Sequence, residues 1–174
     1  YRAGLVEVQD EGSQIIAALA DAQPGLRVCD LCAGAGGKTL AMAAVMANRG
    51  RITACDVNAP RLEGAALRLR RAGVDNAERH LLAAGDKWAK RRAGQFDRVL
   101  VDAPCTGTGT WRRNPDARTR TGAGDLAALL AKQGEILSMS AELVRPGGLL
   151  VYATCSLLPE EDEGQVTAFL ARRP

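Results

Sequence analysis

The chain has 174 residues, room for one domain and too little for two ordinary ones. With 47% apolar and 25% charged residues it has the balance of a folded globular domain, not of a disordered tail. Its net charge of +3 excludes a polycation that holds nucleic acid by bulk charge alone, although 19 of its 23 basic residues are Arg, the better fork for phosphate. In chain order, residues 13–20 (SQIIAALA) read as a short helix with Ser13 as N-cap. Residues 27–31 (RVCDL) read as a strand, 38–47 as a helix closed by Asn48 and Gly50, and 51–57 (RITACDV) as a second strand. A helix over 60–72 has Pro60 in its first turn and Gly73 beyond its end, and 77–83 form a weaker third strand. Residues 96–103 (FDRVLVDA) are a strong fourth strand. Over 124–144, Leu126, Leu129, Leu130, Leu137 and Val144 recur at helical spacing and give a long helix one apolar face. A fifth strand over 148–153 (GLLVYA) and a last helix over 160–171 follow.

Strands separated by helices mean βαβ units with right-handed crossovers. The expected fold is therefore α/β, a Rossmann-like doubly wound parallel sheet in one domain over residues 1–174. The stretch 104–123 has no periodicity, and loops of that length tend to be functional or disordered. Six aromatic residues disfavour an aromatic platform for single strands. The chain has five Cys and one His; Cys29 and Cys32 form a C-x-x-C with no second pair, so no metal is expected. There is no basic-then-apolar leader and no apolar run near the ~18 residues of a membrane span. A cytoplasmic chain with reduced thiols and no membrane partner is expected.

The first strand-to-helix turn reads Asp30-Leu31-Cys32-Ala33-Gly34-Ala35-Gly36-Gly37-Lys38-Thr39. Its glycines let backbone approach a ligand closely. A phosphate-binding P-loop would need its first Gly at position 32, which is Cys32, so that pattern fails by one residue. The other reading is a site for a ribose-bearing cofactor, with an acidic residue at the end of the second strand to take ribose hydroxyls. Asp56 stands there, 20 residues after Gly36. This pairing alone does not separate a dinucleotide from S-adenosylmethionine.

Two further cysteines lie past strand ends, in Asp102-Ala103-Pro104-Cys105 and in Thr154-Cys155-Ser156. In a sheet of order 3-2-1-4-5 the fourth and fifth strands are neighbours, so both thiols reach one carboxyl edge beside the Gly-rich turn. A thiolate that adds to carbon 6 of a cytosine makes carbon 5 an enamine carbon able to attack an electrophilic methyl group. A carboxyl group at ring nitrogen 3 stabilises that adduct. Either thiol could be the nucleophile on this evidence.

These residues together resemble the Sun/Fmu-type RNA (cytosine-5) methyltransferases, in the branch that acts on bacterial 16S ribosomal RNA. The resemblance runs through Val8-Gln-Asp-Glu-Gly-Ser-Gln14, the Gly-rich turn from Asp30 to Thr39, Asp102-Ala-Pro-Cys-Thr-Gly-Thr-Gly-Thr-Trp-Arg-Arg-Asn-Pro-Asp116, and Tyr152-Ala-Thr-Cys-Ser156 followed by Glu160-Glu-Asp-Glu163. It implies a class I methyltransferase fold, S-adenosyl-L-methionine as cofactor and RNA, ribosomal in the first instance, as partner. By position it implies Cys155 as nucleophile, Cys105 as the thiol that releases the product, Asp102 against the cytosine and Lys38 at the active site. It places Cys32, Ala33, Gly34, Ala35, Gly36, Gly37 and Lys38 along the cofactor, with Asp56 at its ribose, Asp86 at its adenine end, and Arg61 and Asp102 nearby. Arg112 and Arg113, in the long loop with Arg118 and Arg120, are expected to meet RNA phosphates. The start of the last helix and Lys38 or a nearby Arg are expected to lower the Cys155 pKa.

Three departures from the family pattern stand out: Gly34 for the usual Ala, Ala35 for the usual Pro, and Asp162 where Asn is common. The N-terminal RNA-binding domain and the final β-hairpin usual in the family are expected to be missing, so cofactor binding with weak RNA methylation is expected of the chain alone. A non-catalytic RNA-binding module with the same fold, and a P-loop-like nucleotide hydrolase, are the alternatives.

Overall fold

The computed structural model describes residues 1–120 and 122–173. Thr121 of the long loop and Pro174 lie outside the described residues, as do the side chains of Arg120 and Ala123. Five strands, β1 (Arg27–Leu31), β2 (Arg51–Asp56), β3 (Ala77–Leu81), β4 (Phe96–Asp102) and β5 (Val144–Ala153), form one sheet of order β3-β2-β1-β4-β5. All four pairings are parallel. The order reverses between β1 and β4, where Leu31 pairs with Val101, so the crevice for a ligand opens past their carboxyl ends.

The central strands are buried on both faces, as parallel strands under two helical layers must be. Val28, Ile52 and Leu100 face a core completed by Ala17, Ala20, Met42 and Met46. Cys29, Leu31, Cys55, Val99 and Val101 face the other core, with Trp88, Phe96 and Leu143. β3 read weakly because it is an edge strand; its residues are half-buried or exposed.

Helix boundaries differ from the sequence reading where a side chain found a better partner. Helix α1 (Glu11–Leu19) is capped by Asp10, whose carboxylate accepts from Gly12 N at 3.1 Å, and not by Ser13. Asp is as good an N-cap as Ser, and its charge also favours the helix N-terminus. Helices α2 (Gly37–Met46) and α3 (Ala59–Arg71) lie within about a residue of expectation. A four-residue helix α4 (Trp88–Arg91) was too short to show periodicity; Trp88 anchors it by stacking on His80 at 5.0 Å. The long loop contains a 3-10 turn (Thr108–Thr110) and helix α5 (Ala117–Arg120).

Helix α6 (Ala123–Leu143) runs almost directly into β5, which begins at Val144 and not at 148. Gly147, at φ +75°, lets the strand bulge there, so that Val144 still pairs with Phe96. Helix α7 (Glu163–Arg172) begins three residues later than expected. The residues before it turn inward, and Glu161 is fully buried.

Candidate active site at the carboxyl edge of the sheet

The loop from β1 to α2 is tied to the end of β2. Ala33 N donates to Cys55 O at 2.9 Å, and Gly34 N donates to Asp56 Oδ2 at 2.7 Å. Asn58 N donates to the other Asp56 oxygen at 2.8 Å, so each carboxylate oxygen keeps one further acceptor position. Gly34 and Gly36 have φ of +57° and +78°, and Cys32, at +67°, shares this left-handed conformation. A side chain at position 34 would drive its Cβ to 2.5 Å from the Arg61 guanidinium, which lies over the loop. Gly34, one of the departures from the family pattern, therefore gives Arg61 its place.

This loop forms one wall of a cleft of about 280 Å³, closed on other sides by Asp30, Lys38, Arg61, Arg68, Asp102 and the segment Val8 to Asp10. A second cleft of about 420 Å³ adjoins it and reaches Thr110, Arg113, Cys155 and Leu157. Lys38 and Asp102 line both, joined by an ion pair of 2.6 Å. Two ligands bound in the two clefts would meet at this pair.

The sulfurs of Cys105 and Cys155 are 3.3 Å apart. Cys155 is exposed to the second cleft, while Cys105 is half-buried behind it. A hydrogen bond from the Cys105 thiol lowers the Cys155 pKa to about 7, against burial and the Asp102 charge and with help from Lys38. As donor of that bond and by its burial, Cys105 is pushed up. The start of α7 was expected to do this work; it lies at Glu163, and the neighbouring thiol replaces it as the main cause. The other cysteines are not poised for reaction. Cys29 is raised by its bond to Cys55 and by burial, and burial pushes Cys32 up to about 12. Among the described residues no three His, Cys, Asp or Glu side chains gather as a metal site requires.

Asp86 does not line either cleft. Its carboxylate is bound to His80 Nε2 at 2.7 Å and accepts from Trp88 N at 2.8 Å, and the His80 contact holds its pKa down. Arg113 lines the second cleft and pairs with Asp10 at 2.5 Å, while Arg112 is exposed on the same loop. Arg118 sits over the Trp111 ring at 5.9 Å.

Sequence reasoning passed over Asp30, although an acidic residue ending the first strand was there to be seen. Its side chain is fully buried; Oδ2 accepts from Thr39 Oγ1 at 2.5 Å, and Oδ1 has no partner. Burial raises its pKa to about 7. The folded state therefore binds this proton more tightly than the unfolded chain, whose Asp titrates near 4. Its contribution to stability is complete below about pH 4 and falls away as pH rises to about 7, by something of the order of 4 kcal/mol. Urea unfolding of Asp30→Asn should show a flatter dependence of stability on pH between about 4 and 7 than the parent protein. Equal slopes would mean Asp30 is not the strained group.

A family model described as 16S rRNA methyltransferase RsmB/F matches residues 17–174. The chain belongs to this family. Among RsmB/F relatives, ribosomal RNA small subunit methyltransferase B of Pseudomonas syringae pv. tomato is 41% identical over 174 residues, covering 99% of this chain and 38% of its own length. The crystal structure of PH0851 superposes with a TM-score of 0.94 at 36% identity, covering 99% of this chain and 39% of that one. The structure of NSun6 from Pyrococcus horikoshii with SFG gives a TM-score of 0.88 at 28% identity, over 98% of this chain and 43% of that one. The chain thus spans about two fifths of the length of each of these three proteins. No helix of the described residues is long and apolar enough to cross a membrane.

Proposed function

We propose that residues 1–174 are the catalytic domain of an S-adenosylmethionine-dependent RNA (cytosine-5) methyltransferase, acting on ribosomal RNA in the cytoplasm. The observation that carries the reading is the Cys155 thiol, open to a cleft that shares Lys38 and Asp102 with the glycine-loop cleft, with the Cys105 sulfur 3.3 Å behind it. Membership of the RsmB/F family supports the same activity and the same cofactor.

The glycine-loop cleft suits S-adenosylmethionine by its donor set. The unpartnered, buried Asp30 Oδ1 matches an ammonium group, and the Arg61 guanidinium over the loop matches a carboxylate. Backbone from Cys32 through Ala33, Gly34, Ala35 and Gly36 to Gly37 would hold the methionine part, with Lys38 and Asp102 at its reacting end. Asp56, with one acceptor position left on each oxygen, would take ribose hydroxyls; Asp86, which lines neither cleft and is held by His80 and Trp88, is given no part in this set. When bound, this cofactor supplies an electrophilic methyl group.

In the second cleft Cys155 is the nucleophile. With its pKa near 7, about half the thiol is ionised at neutral pH, against a few per cent for an ordinary cysteine. The thiolate forms a bond to carbon 6 of cytosine, and the ring electrons move to carbon 5. Ring nitrogen 3 takes up a proton, passed from solvent through Asp102, as the adduct forms and returns it when the sulfur leaves; the Asp102 carboxylate, held by Lys38, accepts from that N–H in between. Once the Cys155 sulfur is a thioether it no longer carries charge. Cys105 then loses the anion that kept its proton in place, and its pKa falls. As a thiolate, Cys105 removes the carbon-5 proton after methylation; the bond to Cys155 breaks and its sulfur leaves as thiolate. Arg112 and Arg113 would bind the phosphates beside the flipped base.

RNA carrying 5-fluorocytidine has no removable proton at carbon 5, so it should trap a covalent complex with this chain in the presence of S-adenosylmethionine. A denaturing gel that shows no such complex at neutral pH, with RNA bound, would refute the reading.

A further inference from the structure

The mechanism above leaves unused a fully buried carboxylate that lies between the two cysteine-bearing segments. Glu161 is fully buried. Its Oε1 accepts from Thr106 N and from Gln133 Nε2, both at 2.9 Å, and its Oε2 accepts from the Thr106 hydroxyl at 2.5 Å. The same Gln133 amide donates to Pro104 O at 2.9 Å. Both neighbours of Cys105 in the chain are therefore fastened to one Glu–Gln pair.

The bonds continue to Cys155. The Ser156 hydroxyl is 3.2 Å from the hydroxyls of both Thr106 and Thr108. Thr108 Oγ1 accepts from Leu157 N at 2.7 Å, and Gly109 N donates to Cys155 O at 3.0 Å. From the strand side, the Tyr152 hydroxyl donates to Glu161 O at 2.8 Å. Burial alone would raise the Glu161 pKa; donors from Ser156, Thr106 and Gln133 outweigh it and hold the group below its ordinary range. Glu161 is thus a carboxylate that only accepts, which sets the direction of the Thr106 hydroxyl bond. Gln133, itself fully buried, leaves its Oε1 without a partner to keep its amide between two acceptors. An orphaned buried carbonyl is destabilising, and folding alone gives no reason to accept it.

We infer that Glu161, seated by Gln133, is a positioning residue that sets the distance between the Cys105 and Cys155 sulfurs. Its catalytic consequence rests on the covalent reading above: the same spacing lets Cys105 first donate to Cys155 and then take the carbon-5 proton.

Diamide measures that spacing without RNA. The two thiols lose their protons, a sulfur–sulfur bond forms, and the two electrons and two protons reduce the azo bond of diamide to a hydrazine. The rate is read from the Cys105–Cys155 linked peptide by mass spectrometry and divided by the rate at which iodoacetamide alkylates Cys155, which corrects for reactivity. In Glu161→Gln the ratio should fall about tenfold or more, the scale of one charge-assisted hydrogen bond. Glu161→Asp should recover part of it. Should Glu161→Gln show no cooperative urea transition, Thr106→Val, which loses the hydroxyl contacts to Glu161 and Ser156 at similar volume and keeps the backbone bond, is expected to lower the ratio in the same direction. An unchanged ratio in a folded variant overturns the inference. Wild-type protein with the normal ratio but no 5-fluorocytidine complex would refute the covalent reading and leave the positioning role standing.

Discussion

Cys155→Ala should lose the 5-fluorocytidine complex entirely and methylate RNA more slowly by on the order of 10³-fold or more, as enzymes do when a covalent nucleophile is removed. The side chain is exposed, so stability should change by no more than roughly 0.5 kcal/mol, and S-adenosylmethionine affinity should be unaltered. The parent protein offers a check that needs no substrate. Only the thiolate reacts with iodoacetamide, so the alkylation rate of Cys155 should rise with pH and reach half its limit near pH 7. In Cys105→Ala the main cause of that low value is gone, and the midpoint should move to higher pH. Trapping retained in Cys155→Ala, or a midpoint above 8 in the parent protein, would count against Cys155.

Cys105→Ala should fail at the other end of the reaction. Its Cys155 can still attack carbon 6, but no thiolate stands ready to take the carbon-5 proton. Turnover should drop by about 10² to 10⁴-fold, the usual worth of a positioned general base. A covalent complex should build up on ordinary cytidine RNA, where the parent protein shows none. The two variants therefore differ in sign on one gel: one never forms the complex, and the other cannot release it. A Cys105→Ala protein that turns over at the parent rate, or that accumulates nothing, would remove Cys105 from the release step.

Much of this arrangement was legible from residue order. The apolar runs at 27–31, 51–57 and 96–103 mark the central strands, because a parallel strand buried on both faces has few other ways to read. Cys105 follows β4 and Cys155 follows the edge strand β5, each by a few residues, so any sheet that makes β4 and β5 neighbours brings them to one edge. Less legible were features decided by single hydrogen bonds. Asp10 took the cap expected of Ser13, and α4 was too short for a period. β5 was read four residues short because Pro146, Gly147 and Gly148 look like a turn, while the strand bulges past them.

Local patterning by itself determined the class of fold, the order of its elements and the meeting of two thiols with a glycine-rich turn. These follow from short-range rules: which side chains alternate or recur, and where a chain can turn. Distances and protonation were decided only by the tertiary structure. The Lys38–Asp102 pair, the bonds of Glu161 to Thr106 and the Sγ–Sγ contact join residues 64, 55 and 50 positions apart. A pKa depends on what excludes water and what charge stands close by, and packing supplies both. Glu161 stayed ionised because folding brought it donors; Asp30 gained a raised pKa because folding buried it with only the Thr39 hydroxyl to offset the loss of water.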